Sequence, residues 1–360
     1  MRIAMICPHY GYIYRGTENT TYQVSKRLKY DVDIFGLGYK SNIIVSGLRK
    51  DRGLGKLSNS FAEKTMFGGL LRRYVGLTPH IEDISFNLKL KPILEKSINS
   101  YDLLWSNGEY WCAKTITKLG RKHRKSTLLF FGGGISKMML DEALMLPDLF
   151  IVLTPEMEKW IRIKVTDCNV KCIPCGVDLD MFNSDEMGNP TSYKHPIVIS
   201  TSALVRSKRI DLIIKAMYKL GKGTLLVTSD GPDRDRIVKL GEKLIGKRFI
   251  YLGKVKYKNL PSFYRQADVM ILASENEPFG MVILEAMACN TPAIVQKDPT
   301  RKWMVNGGGL LLEDITDIDD LVGAIEQACA TDWKDKPRKQ AEKFSWDKTV
   351  EGYEKIIGEL

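Results

Sequence analysis

Short apolar runs bounded by polar residues alternate with amphipathic stretches along nearly the whole chain. Residues 2–7 read as a first strand and 18–28 as an amphipathic helix. Further strand-like runs fall at 32–35, 103–105, 127–131, 149–153 and 170–173, separated by helical spacing. Apolar strands joined by crossover helices predict a parallel, doubly wound sheet covered on both faces. After the polar, Gly- and Pro-containing stretch 183–196 the alternation restarts. Strands at 197–200, 225–228, 249–251 and 268–273 are interleaved with helices at 209–220, 234–244 and 260–266. The pattern predicts an α/β chain of two similar domains, 1–183 and 184–344, with 183–196 as linker and a ligand cleft between them. A last helix over 345–360 carries an apolar stripe of Trp346, Val350, Tyr353, Ile356 and Ile357.

The most informative stretch follows the strand at 268–273. Glu277 and Glu285 bracket Pro278, Phe279 and Gly280, and good helix formers run from Gly280 to Ala288 until Asn290, Thr291 and Pro292 stop them. Pro278 suits a helix entry, because its ring presets φ and it has no amide hydrogen. A helix starting at Phe279 or Gly280 aims unpaired N–H groups and the positive end of its dipole at the C-terminal edge of the sheet. Pro278, Phe279, Gly280, Met281 and Val282 would therefore line a seat for a diphosphate. Glu285, more than a turn into the helix, is placed to accept hydrogen bonds from a diol such as ribose, and Glu277 faces whatever the phosphate carries.

This stretch resembles the Glu-x7-Glu signature of the family 4 retaining glycosyltransferases, in the glycosyltransferase group 1 class. Other segments match in order: residues 173–178 with Phe182, 204–211, Asp230-Gly231-Pro232 and 251–255. The similarity is close in the C-terminal half and loose in the N-terminal half. It implies the GT-B fold, with two Rossmann-like doubly wound domains facing across a cleft and the terminal helix crossing back onto the first. The implied activity is transfer of a hexose-type sugar from a nucleotide-diphosphate sugar, UDP or GDP being the expected nucleotides, to a lipid-linked or polysaccharide acceptor. The alternative is a degenerate GT-B module that binds nucleotide or acts as a scaffold without turnover.

The resemblance also assigns roles. Lys208 is the leading cation for the donor diphosphate, and Glu277 is a donor-sugar ligand and charge stabiliser rather than a covalent nucleophile. Lys254 and Val255 lie in the segment whose backbone contacts the nucleobase, and Gly16 keeps one member of a glycine pair that approaches the diphosphate, the other being Arg15. The family's arginine in a Gly-Arg-Leu motif is absent, because the chain reads Ser202-Ala203-Leu204; Arg206 or Arg209 stands close enough in sequence to substitute. Where these enzymes often carry a histidine near the acceptor, this chain has Phe131 followed by Gly132, Gly133 and Gly134. Retention through front-face displacement needs no dedicated nucleophile and no metal. The pairs Asp31/Asp33 and Asp233/Asp235 are accordingly read as strand-edge and helix-start residues.

Composition narrows the rest. With 360 residues and 44% hydrophobic content the chain is long enough for two cores. No apolar run approaches the ~20 residues that span a bilayer, and the start leads straight into a strand, so a cytoplasmic protein is expected. Seven cysteines fit reduced core thiols. The spacing of Cys168, Cys172 and Cys175 is also that of an iron–sulfur ligand set, although an alternating strand would put Cys175 on the opposite face from the other two. Of the net charge of +11, residues 1–183 supply +9. Much of it lies in Arg49, Lys50 and Arg52, in Arg72 and Arg73, and in the basic run 121–125. Phe61, Met66, Phe67, Leu70, Leu71, Tyr74 and Val75 recur at near-helical spacing beside the arginines. Two readings follow: a face for an anionic membrane surface, or a helix packed on its own domain. No nucleic-acid motif accompanies the basic residues.

Overall fold

The computed structural model describes residues 1–11, 16–45, 81–185 and 193–360. The arginines at 15, 49, 52, 72 and 73 and the apolar run 61–75 lie outside the described residues. The chain divides into two compact units, Met1–Ile173 with Val350–Leu360, and Pro174–Thr349.

The first unit is built on seven parallel strands: β1 (Arg2–Ile6), β2 (Asp31–Gly36), β3 (Ile43–Ile44), β4 (Leu103–Asn107), β5 (Ser126–Phe131), β6 (Leu149–Val152) and β7 (Val170–Cys172). Their order is β3-β2-β1-β4-β5-β6-β7. Among the described residues up to Ile173, five helices accompany them: α1 (Gly16–Ser25), α2 (Ile81–Ser97), α3 (Tyr110–His123), α4 (Lys137–Ala143) and α5 (Pro155–Lys164). Ile3, Ala4, Met5 and Ile6 of β1 are fully buried, as a central strand covered on both faces must be.

In the second unit the strands are β8 (Ile197–Ser200), β9 (Thr224–Thr228), β10 (Phe249–Gly253), β11 (Val269–Leu272), β12 (Ala293–Gln296) and β13 (Gly309–Leu312), in the order β10-β9-β8-β11-β12-β13, again all parallel. The helices are α6 (Ile210–Leu220), α7 (Arg234–Ile245), α8 (Leu260–Gln266), α9 (Met281–Ala288), α10 (Pro299–Val305), α11 (Ile318–Ala330), α12 (Lys336–Ala341) and α13 (Trp346–Ile357). The core packs α6, α7 and α11 on the sheet through Ile213, Ile214, Met217, Ile237, Leu321 and Ile325. In each unit the strand order reverses beside the first strand, at β1/β4 and at β8/β11. Loops diverge there and leave a crevice at the C-terminal edge.

The predicted strands and helices are present, and β3, β12 and β13 are additions that the hydrophobic pattern did not isolate. The division between units falls at Ile173/Pro174, before the expected boundary at 183. The cause is local packing: Arg338 donates to the carbonyls of Leu179 (3.4 Å) and Phe182 (2.6 Å), and the Phe182 ring packs on Tyr257 and Tyr264. Asp33 is bound by Arg2 (2.7 Å) and Tyr101 (3.0 Å), and Asp233 by Arg236 (2.6 Å). All seven cysteines are free thiols. Among the described residues the trio at 168, 172 and 175 does not form a ligand set.

The end of α13 belongs to the first unit. Tyr353 is buried against Trp105 of β4, ring centroids 4.8 Å apart, and Glu354 accepts from the backbone N–H of Lys29 at 2.8 Å. Tyr353→Ala should lower stability to urea by about 3 to 5 kcal/mol. Lys29→Ala, which removes a side chain from a surface ion pair, should cost under about 1 kcal/mol. Equal effects would mean that the aromatic contact does not anchor the terminal helix.

Candidate active site

Four loops meet at the C-terminal edge of the second sheet, and backbone hydrogen bonds fasten each to the next. After β8, Leu204 N–H donates to Asp230 C=O (3.1 Å) and Leu204 C=O accepts from Asp233 N–H (2.9 Å). After β9, Ser229 N–H donates to Gly253 C=O at 2.8 Å, which ties in the loop after β10. After β11, Glu275 N–H donates to Ser207 C=O at 2.8 Å. A Cβ on Gly231 would collide with the Leu204 carbonyl, so this approach needs a residue without one.

The clasp brings together the two predicted catalytic residues. Ser207 and Glu275 set adjacent segments side by side, and Lys208, next after Ser207, forms an ion pair with Glu277, two residues past Glu275. Both side chains are only partly exposed. Arg209, in the left-handed region at φ 49°, starts α6 and pairs with Glu275 at 3.0 Å. Arg206 and Lys254, the other predicted donor-site cations, are exposed and form no ion pair in the described residues. Val255 is half-buried beside Lys254.

The helix begins later than the sequence suggested. α9 starts at Met281, with Gly280 before it at φ 89°, so Pro278 and Phe279 belong to the turn rather than to the first helical residues. Phe279 is buried and anchors the turn, and Pro278 is half-buried. Only a glycine adopts this φ cheaply, which fixes how Glu277 leaves the sheet edge. The first N–H groups of α9, from Met281 and Val282, have no acceptor within their own helix and point their dipole toward the same edge. Behind the turn the buried guanidinium of Arg301 donates to the carbonyls of Gln296 (3.0 Å) and Glu277 (3.5 Å) and pairs with Asp298 at 2.5 Å.

Glu285 sits deeper than expected. Its residue is 5% exposed, and each carboxylate oxygen accepts from a tyrosine, Oε1 from Tyr257 at 3.0 Å and Oε2 from Tyr264 at 3.1 Å. Tyr264 is in turn 2.7 Å from Thr201 Oγ1. Burial pushes the carboxyl up to about 7, partly opposed by the two tyrosine hydrogen bonds. The sequence reading missed Tyr257 and Tyr264. Their only signal was a pair of tyrosines, one just before α8 and one within it.

In the first unit Gly16 opens α1 and is exposed. The glycines at 132–134 follow β5 with no helical structure. One charged set here had no sequence forecast: His9, Asp83 and Glu109 offer ligand-type atoms within 4.8 Å of one another, and Glu18 lies 3.8 Å from His9. Glu142, buried on α4, is pushed up to about 8 by burial and then by the charge of Glu109.

Residues 184–345 match the family described as glycosyl transferases group 1. This domain belongs to the group 1 glycosyltransferases. Across the chain, the D-inositol 3-phosphate glycosyltransferase of Corynebacterium jeikeium is 29% identical over 243 residues, which cover 59% of this chain and 58% of that protein. The chain spans about half the length of the curated relatives it matches. The sucrose-phosphate synthase structure from Thermosynechococcus elongatus superposes with a TM-score of 0.78 at 20% identity, covering 99% of this chain and 98% of that one. Anabaena Alr3699/HepE, solved in complex with UDP-glucose, gives 0.72 at 15% identity over 100% of both chains. The glycosyltransferase domain and the unit before it thus share the GT-B fold of two Rossmann-like doubly wound domains.

The raised Glu285 carboxyl has a thermodynamic consequence. Between its ordinary value of 4.5 and about 7, the folded protein holds a proton that the unfolded chain releases. The stability this group contributes is therefore greatest at low pH, falls as pH rises through that window, and is flat above it. Glu285→Gln should remove that slope. Urea stability of the wild type should fall relative to the variant by about 1 to 3 kcal/mol between pH 5 and 7.5. Parallel pH profiles would show that Glu285 ionises in the folded state as it does in the unfolded chain.

Proposed function

We propose that the chain is a retaining glycosyltransferase that moves a hexose-type sugar from a UDP- or GDP-sugar to a lipid-linked or glycan acceptor. The observation that carries this reading is the Lys208–Glu277 pair at the mouth of α9, with Glu285 one turn behind it. Transfer builds positive charge at the anomeric carbon and negative charge on the departing diphosphate. A site for it needs fixed cations and aligned N–H donors near the phosphate, and an acidic group near the sugar.

The parts are assigned as follows. The N–H groups of Met281 and Val282, the Lys208 ammonium and the Arg206 guanidinium take the diphosphate. Arg206 supplies the charge that related enzymes place where this chain has Ala203. Glu277 exchanges its lysine partner for the donor sugar and stabilises the oxocarbenium-like centre. Glu285, held by its tyrosines, accepts from the ribose, and the backbone at Lys254 and Val255 meets the base. The leaving phosphate takes the acceptor proton, so neither a protein nucleophile nor a metal is required. The UDP-glucose of Anabaena HepE supports the uridine nucleotide among the two. The first unit holds the acceptor, presented from an anionic membrane surface.

Transfer should be assayed from labelled UDP- and GDP-sugars. Glu277→Ala should reduce it at least about a hundred-fold, and Arg206→Ala about ten- to a hundred-fold. Chelator should leave the rate unchanged. An undiminished rate in Glu277→Ala would remove that residue from the mechanism. Loss of activity with chelator and its return with magnesium would refute metal independence. No transfer from any donor, with nucleotide still bound, would favour the degenerate module.

A further inference from the structure

The first unit carries an exposed surface that the proposed chemistry does not use. Asn87 of α2 reaches Cys112 of α3 at 3.4 Å, and Glu95 pairs with Lys122 at 2.8 Å, so the two helices run side by side in the same direction. On α2 the positions next to this seam are 84, 88, 91 and 95; on α3 they are 111, 115, 118 and 122. The two stripes make one face whose ends differ in chemistry. Ile84, Leu88 and Trp111 occupy one end, and Lys91, Lys118 and Lys122 the other. Leu88 is 71% exposed and Ile84 36%. Ile84 and Leu88, four residues apart on one helix face, form a joined apolar patch rather than scattered single side chains.

The charge on this face is predominantly positive. α3 carries Lys114, Lys118, Arg121 and Lys122 and no acidic residue. On α2 Glu95 is already paired with Lys122, and Asp83 is buried. Lys114 lies over the Trp111 ring at 5.3 Å and the Tyr110 ring at 5.9 Å, an amphipathic group suited to the boundary between hydrocarbon and headgroups. Because α3 follows β4 directly, its aromatic start stands at the C-terminal edge of the sheet.

We propose that the α2–α3 face docks on an anionic lipid bilayer, with Leu88, Ile84 and Trp111 entering the interface and the lysines resting on acidic headgroups. This rests on the lipid-linked acceptor proposed above and names the surface through which the protein reaches it. A bilayer in this position delivers a lipid-borne acceptor to the edge of the first sheet where loops converge.

The test is co-sedimentation of the full-length protein with vesicles of equal parts phosphatidylglycerol and phosphatidylcholine, against vesicles of phosphatidylcholine alone. The wild type should bind the mixed vesicles, bind the neutral ones at least about tenfold more weakly, and lose affinity with added salt. Lys91→Gln with Lys118→Gln should weaken binding by about tenfold or more, and Leu88→Ser by several-fold. Both are surface changes, so urea midpoints and transfer to a water-soluble acceptor should stay at wild-type values. Failure of the wild type to bind, equal binding to neutral vesicles, or variants that bind like wild type would overturn the proposal. So would a dimer in sedimentation velocity that Leu88→Ser dissociates, which would make a second copy the occupant. Vesicle binding without any sugar transfer would leave this surface standing and remove the enzymatic reading.

Discussion

The site depends on a set of backbone hydrogen bonds that hold four loops of the second unit to one another. Parallel strands end together at one edge, but their loops carry no intrinsic reason to stay in register. Here Leu204 is tied to Asp230 and Asp233, Ser229 to Gly253, and Glu275 to Ser207. Main-chain partners leave the side chains of those loops free to point outward. Lys208 and Glu277, far apart in sequence, therefore meet without either being needed for the fold. Several residues in these loops have positive φ, among them Arg209, Ser229 and Asn276. Such strain costs about 1 to 3 kcal/mol each and persists only where surrounding structure enforces it.

Electrostatics divide the two glutamates by depth. Glu277, partly exposed, has the Lys208 ammonium beside it. Glu285 is buried with one tyrosine donor on each oxygen, so its charge is costly to the folded state and its position is fixed.

Much of this was legible in the sequence, for identifiable reasons. Strands buried on both faces give continuous apolar runs, so β1, β4, β5, β8, β9 and β11 stood out. β12 and β13, four-residue runs that follow Pro292 and the Gly307/Gly308 pair, were not isolated. The helix start was misplaced because Pro278 is a good first-turn residue, whereas the turn is set by Gly280 at positive φ. The division into compact units falls before 183 because Phe182 is held by two tyrosines of the second unit. The tyrosine partners of Glu285 and the cluster around His9 were not legible. Both assemble residues from separate loops, which spacing along the chain does not encode.

The account makes the C-terminal edge of the second sheet a seat for one nucleoside diphosphate, and the most direct test is calorimetric titration of UDP and GDP into the unliganded protein. One of the two should bind at one site per chain, more tightly than the other, and the affinity should collapse in Lys208→Ala. Absence of binding by both, or binding that Lys208→Ala leaves intact, would contradict the account.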